Sequence, residues 1–223
     1  MPTVAAVNGT VVGGGCEIAM HCSRVVAALE SYIGLVEAGV GLVPGGGGLK
    51  EFAVRAARSA QTTTMNDPLM FLTGPFQAIS GGKTSANALD AKEMGFLRES
   101  DVVIFNPNEI LYVAQQTARG LYEAGHRPQL PPEGINVAGR NGIGTLEATL
   151  TNMRDGGMIS EHDYRVGKAI ATGLCGGDVE TGTLVNEDWL LNVERKMFVE
   201  LAETEKTQAR IKNMLETGKP LRN

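Results

Sequence analysis

Two glutamates stand beside glycine-rich turns, and residues of those types in that arrangement could do acid–base chemistry. The first, Glu17, follows Gly13-Gly14-Gly15-Cys16. Glycines between a strand and a helix let backbone approach a ligand closely. The first N–H groups of such a helix have no acceptor of their own and face outward at the positive end of its dipole. The turn can therefore hold an anion or a developing oxyanion. The same residues also fit a tight packing turn with a solvent-facing glutamate. Glu37 lies 20 residues further on, beside the block Gly39-Val40-Gly41-Leu42-Val43-Pro44-Gly45-Gly46-Gly47-Gly48. Two carboxylates beside glycine turns suit paired work, one activating water and the other supplying a proton. The alternative is two unrelated surface glutamates.

The elements that must carry these residues are readable from periodicity and punctuation. Residues 4–7 form a short apolar strand ending in the turn signal Asn8-Gly9, and residues 10–12 resume it. The glycines stop that strand, and 16–22 read as a short helix. Residues 24–29 and 32–33 are strand-like, and 49–58 make a good helix. From there the chain is mainly helical. Asp67-Pro68 opens a helix, with proline where its missing N–H costs little. Residues 85–94 form a helix closed by Gly95, 96–105 a strand, and 109–123 a long helix ended by Gly125. The Pro- and Gly-rich stretch 127–144 reads as a surface connection. Three or four helices follow, at about 145–154, 161–172, 187–201 and 207–216, the second opened by Ser160-x-x-Asp163, which suits an N-cap with an acidic first turn. The fold class is α/β with a helical C-terminal region, divided at 1–105 and 106–223.

Composition excludes several classes of function. The 223 residues carry a net charge of -5 with acidic and basic residues interleaved, which argues against a nucleic-acid binder. No apolar run reaches membrane-spanning length, and no signal-peptide pattern is present. Cys16, Cys22 and Cys175 are too few for a disulfide framework, and a cytoplasmic location is expected. His21, His126 and His162 are scattered, without metal-ligand spacing. Gly39-x-Gly41 has Pro44 at the third glycine position and no βαβ unit after it, so it is not a dinucleotide site. Gly82-Lys83-Thr84 reads as a loop before a helix, Cys16 as a packed thiol, and His162 as a surface residue. Trp189 reads as helix core or a subunit contact. Lys206, Arg210 and Lys212 read as a solvated face; a sharper alternative has some of them help hold CoA phosphates, of their own or of a neighbouring subunit.

Residues 2–22 (PTVAAVNGTVVGGGCEIAMHC) and 32–48 (YIGLVEAGVGLVPGGGG) resemble the enoyl-CoA hydratase, or crotonase, signature. Residues 85–97 (SANALDAKEMGFL) resemble a later helix of the same family. Residues 67–96 and 206–223 (KTQARIKNMLETGKPLRN) are similar to bacterial bifunctional fatty-oxidation proteins, in which a 3-hydroxyacyl-CoA dehydrogenase precedes the hydratase domain. The resemblance covers nearly the whole chain.

The resemblance implies a crotonase-like core of stacked ββα turns and a helical tail for oligomerisation and active-site cover. It implies that Glu17 and Glu37 are the catalytic pair, that the Gly14 N–H is one oxyanion-hole donor, and that Gly13, Val36, Val40 and Gly45 bind substrate. Val36 stands where many relatives have proline, a change expected to alter only local packing. Double-bond isomerases of similar fold generally need only the later glutamate, so retention of both favours hydration. The implied substrate is an acyl-CoA thioester, and the implied assembly a trimer or dimer of trimers. Hydration needs no cofactor; NAD would serve only the dehydrogenase domain, which is absent from this sequence. The resemblance further implies that the first half of the hydratase fold, with the second oxyanion donor and much of the CoA grip, lies outside these residues. The alternative function is a non-catalytic crotonase remnant acting as an assembly or interaction module.

Overall fold

Short runs of β-branched residues alternate with glycine turns at the start of the chain, and longer amphipathic stretches take over later. A computed structural model describes residues 1–223. In chain order the elements are β1 (Val4–Val7), β2 (Thr10–Val12), α1 (Gly14–His21), β3 (Arg24–Ala28), β4 (Tyr32–Gly34), α2 (Gly48–Ala60), α3 (Leu69–Ser80) and α4 (Ala88–Glu93). There follow β5 (Val102–Ile104), α5 (Ile110–Glu123), β6 (Ile135–Asn136), α6 (Gly139–Asp155), α7 (Glu161–Leu174), β7 (Leu184–Val185), α8 (Glu187–Ala202) and α9 (Glu205–Thr217). Single 3-10 turns occupy Glu37–Val40 and Pro107–Glu109. No helix is long and apolar enough to cross a membrane.

The chain divides into two units, each made of two separate stretches. Met1–Leu35 and Lys83–Leu130 form the first. Its main sheet is parallel, in the order β1-β3-β5, with Val4 opposite Arg24 and Val26 opposite Val102. A second parallel pair joins β2 to β4, with Val11 opposite Ile33. The turn at Asn8-Gly9 therefore does not make a hairpin; it carries the chain from one sheet to the other, as a ββα spiral requires. Helix α5 covers the main sheet, where Ile110 and Ala114 pack with Val26 and Ala28 and the flanking Val4, Val102 and Ile104. Asp101 is buried, and its two carboxylate oxygens accept the N–H groups of Val25 (2.9 Å) and Arg98 (2.7 Å).

Val36–Gly82 and Pro131–Asn223 form the second unit, which is helical apart from the antiparallel pair β6-β7. Ala53, Val54 and Ala57 of α2 pack with Ile135, Val137, Val185 and Leu190. The stretch expected to be a surface connection, 127–144, instead contains β6 and the first residues of α6. Two of its glycines, Gly139 and Gly142, are used for close packing. A Cβ on Gly142 would lie 2.9 Å from the Cys175 sulfur and 2.6 Å from the Ala138 side chain. Two other elements are shorter than expected. The strand within 96–105 narrows to β5, and the helix within 85–94 begins only after Asn87, whose side chain accepts the N–H groups of Leu89 and Asp90 at 2.9 Å.

Candidate active site

In the first unit, the turn before α1 is built on a backbone conformation that only glycine holds without strain. Gly13 has φ 56° and ψ -131°, and its N–H donates to the Gly34 carbonyl at 3.0 Å. The first bond of α1 runs from the Glu17 N–H to the Gly13 carbonyl, also 3.0 Å. The N–H groups of Gly14, Gly15 and Cys16 precede it and have no carbonyl of their own helix to reach. Gly14 is exposed, and a Cβ added there would meet nothing within 4 Å, so a ligand atom could come close to its N–H. The Glu17 side chain belongs to the same turn and is only 5% exposed. Cys16 is fully buried, in keeping with a packed thiol. Gly13, Gly14 and Glu17 thus stand together at the positive end of α1, where a buried carboxylate and outward N–H groups could handle a proton and a developing negative charge.

In the second unit, Glu37 opens the 3-10 turn Glu37–Val40. Backbone bonds close the turn, among them Gly39 N–H to the Val36 carbonyl (2.9 Å), Gly41 N–H to Ala38 (3.1 Å) and Leu42 N–H to Glu37 (3.1 Å). Gly41 ends it at φ 82°, a left-handed conformation that favours glycine. Val36, Glu37 and Val40 are half-buried along this turn. Gly45 is exposed just beyond it, where a Cβ would lie 2.7 Å from the Phe198 ring. The Glu194 carboxylate of α8, itself buried, then caps α2, accepting the N–H groups of Gly47 (2.6 Å) and Lys50 (3.0 Å). Lys50 is buried as well, and its ammonium donates to Glu187 at 2.8 Å.

Beneath the Glu37 turn lies a polar cluster that sequence reasoning missed. His162, expected at the surface, is 4% exposed, and Arg210, expected on a solvated face, is 0% exposed. The Thr207 hydroxyl donates to the Gly41 carbonyl at 2.8 Å and lies 2.9 Å from His162 Nε2. Because that hydroxyl proton is committed to Gly41, the imidazole must be the donor, so His162 carries its proton on Nε2. Burial, followed by the nearby Arg210, Lys206 and Arg165, pushes the His162 pKa down, which keeps the ring neutral. Arg210 donates to Asp163 at 2.7 Å and to the Asn223 side chain at 2.8 Å, and Arg222 reaches Asp163 at 3.1 Å. The Ser160-x-x-Asp163 spacing placed residue 162 in a helical first turn. Nothing local to it signals a partner 45 residues away. Of the motifs set aside, Gly39-x-Gly41 falls on the 3-10 turn and Lys83-Thr84 on the loop before α4.

Residues 1–67 match the family model described as enoyl-CoA hydratase/isomerase. Over 222 residues the chain is 42% identical to a probable 3-hydroxyacyl-CoA dehydrogenase of Bacillus subtilis, covering 100% of this chain and 27% of that protein. It is 30% identical to a fatty acid oxidation complex subunit alpha of Idiomarina loihiensis, covering 95% of this chain and 26% of the relative. The chain thus spans about a quarter of the length of these curated relatives. Among solved structures, carnitinyl-CoA hydratase from Mycobacterium avium superposes with a TM-score of 0.52 at 19% identity, over 99% of this chain and 62% of that one. At that identity the likeness speaks for the fold, which is α/β and crotonase-like with a helical C-terminal region.

Proposed function

We propose that this chain, whose residues 1–67 match the enoyl-CoA hydratase/isomerase family model, is the hydratase portion of a fatty-acid β-oxidation enzyme. The substrate is a 2-enoyl-CoA thioester, and the reaction adds water across its 2,3-double bond. The observation that carries this reading is the start of α1. There a glycine-only backbone turn leaves the Gly14 N–H open to a ligand, and Glu17 is buried one turn away.

In the proposed mechanism Glu17 takes a proton from water as its oxygen bonds to C3. The double-bond electrons move toward the thioester, whose oxygen becomes an enolate held by the Gly14 N–H. Glu37 delivers the proton to C2, and the enolate collapses to the 3-hydroxyacyl-CoA. Losing one such oxyanion donor typically costs about 2.7–4 kcal/mol of barrier. Gly13, Val36, Val40 and Gly45 line the substrate path. Residues 1–105 belong to the catalytic core, and 106–223 serve oligomerisation, as a trimer or dimer of trimers, and cover the site. The name of the Bacillus subtilis relative supports a dehydrogenase partner for the 3-hydroxyacyl product, with NAD confined to that separate domain.

The test is crotonyl-CoA hydration, followed by the loss of enoyl absorbance. The assay compares this chain with a longer form built to the length of a whole hydratase domain. Turnover cut by orders of magnitude in either Glu17→Gln or Glu37→Gln is the expected result. A folded long form without hydratase activity would overturn the reading in favour of a non-catalytic assembly module.

A further inference from the structure

We infer that Thr207 is a positioning residue for Glu37, acting through the Gly41 carbonyl. The inference rests on the hydratase reading for the role of Glu37, and on geometry within the second unit for everything else.

The backbone bonds of the Glu37 turn fix its internal shape, since each runs from one residue of 36–42 to another. They do not fix where the turn sits. Its C-terminal carbonyl, on Gly41, is tied to a different part of the chain by the Thr207 hydroxyl at 2.8 Å. That hydroxyl is fully buried, with 0% exposure, so water does not compete for the bond. Its orientation is set from the other side by His162 at 2.9 Å, which can only donate to it. Helix α9, which carries Thr207, is in turn held at the first turn of α7 by the Arg210–Asp163 pair at 2.7 Å.

Gly41 is fitted to this contact twice over. Its φ of 82° disfavours a side chain. A Cβ there would stand 2.8 Å from the Thr207 hydroxyl, 3.1 Å from His162 Nε2 and 3.3 Å from Arg210 Cδ. The left-handed cap and the missing Cβ let α9 grip the turn by its backbone. A carboxylate must sit within a fraction of an ångström of its productive position, and small displacements cost rate rather than binding. The chain of contacts from Asp163 through Arg210 and α9 to Thr207, and on to Gly41, therefore sets the position from which Glu37 works.

The test compares Thr207→Val, which keeps the shape and removes the donor, with Thr207→Ser, which keeps the donor. Both are made in the hydratase-competent long form. The expected result is a kcat lower by roughly 10- to 100-fold for Val with KM within about twofold, and near-full recovery for Ser. A folded Val variant with wild-type kcat, or a Ser variant as impaired as Val, overturns the inference. If Val does not fold, Thr207→Cys, a weak donor of similar size, is expected to give an intermediate kcat, and wild-type kcat there likewise overturns it. Amide hydrogen exchange on this chain separates this inference from the hydratase reading. Faster exchange at Gly39, Gly41 and Leu42 in Val but not Ser supports the clamp even if no hydration is seen; unchanged exchange removes it even if hydration is robust.

Discussion

Glu17 occupies a position at the start of a helix that hides it from water. It lies in the first turn of α1, where the helix dipole stabilises an anion, and it is 5% exposed. Replacing it with glutamine keeps the shape and removes the base. Glu17→Gln and Glu37→Gln are each expected to lower hydration kcat by about 10²- to 10⁴-fold, the usual contribution of a positioned acid or base. Steady-state kinetics on the long form checks this, and near-wild-type turnover by either variant would end the paired-carboxylate assignment. Gly13 sets the geometry for both the N–H groups and Glu17. Its φ of 56° with ψ -131° predicts that Gly13→Ala costs about 1–3 kcal/mol in urea unfolding. At this scale much was legible. Gly13-Gly14-Gly15-Cys16-Glu17 announces a strand-to-helix turn because glycine runs have few other uses between two regular elements. His162, Thr207 and Arg210 were not legible, because a polar residue on a helix looks the same whether it faces water or a buried partner far along the chain.

Helix α7 illustrates what holds an element and how it responds to acid. The Ser160 hydroxyl accepts the Asp163 N–H at 3.1 Å, while the Asp163 carboxylate accepts the Ser160 N–H at 3.1 Å, a reciprocal capping box. Ser160→Ala is expected to cost about 1 kcal/mol, read by denaturant unfolding. Asp163→Ala removes the cap partner and also strands the buried Arg210 guanidinium, so the expected loss is larger, about 3–5 kcal/mol. Two groups in this first turn link stability to pH. His162 is held below its ordinary 6.5 by burial and neighbouring cations. The unfolded chain therefore takes up its proton first, and stability is lost as pH falls from about 6.5 toward the folded value. For Asp163, burial raises the pKa, but hydrogen bonds from Arg210 and Ser160 outweigh it, and the net value lies below 3.8. Its contribution is complete above that pH and disappears as pH falls further. Urea midpoints across pH should show the upper slope shrink in His162→Gln and the lower one, to which Glu147 also contributes, shrink in Asp163→Asn. The cap was readable from Ser160-x-x-Asp163, since the pattern is local. The start of α6 was not, because glycine at 139, 142 and 144 speaks for a loop until the space is known. The Cys175 sulfur, its thiol pushed up to about 12 by burial, leaves room at 142 for nothing larger than a hydrogen.

Neither unit of the molecule is a continuous piece of chain. The parallel sheet of the first takes β1 and β3 from residues before 35 and β5 from beyond 83. The crossing of chain between units could not be read from the sequence, since parallel pairing leaves no local turn signal comparable to a hairpin's. In the second unit the Glu37 turn and α2 come early, while the groups that bind them, Glu194 and Thr207, come late. Removing residues 204–223 is therefore expected to abolish cooperative unfolding of this unit, reported by the fluorescence of Trp189, the only tryptophan. The same order governs synthesis. On the ribosome, α2 emerges with Ala53, Val54 and Ala57 in need of cover, and the intervening residues 83–130 must be made before the stretch containing Ile135, Val137, Val185 and Leu190 begins. The nascent chain carries a half-built unit across those intervening residues, with the carbonyl of Gly41 ungripped until α9 has left the exit tunnel.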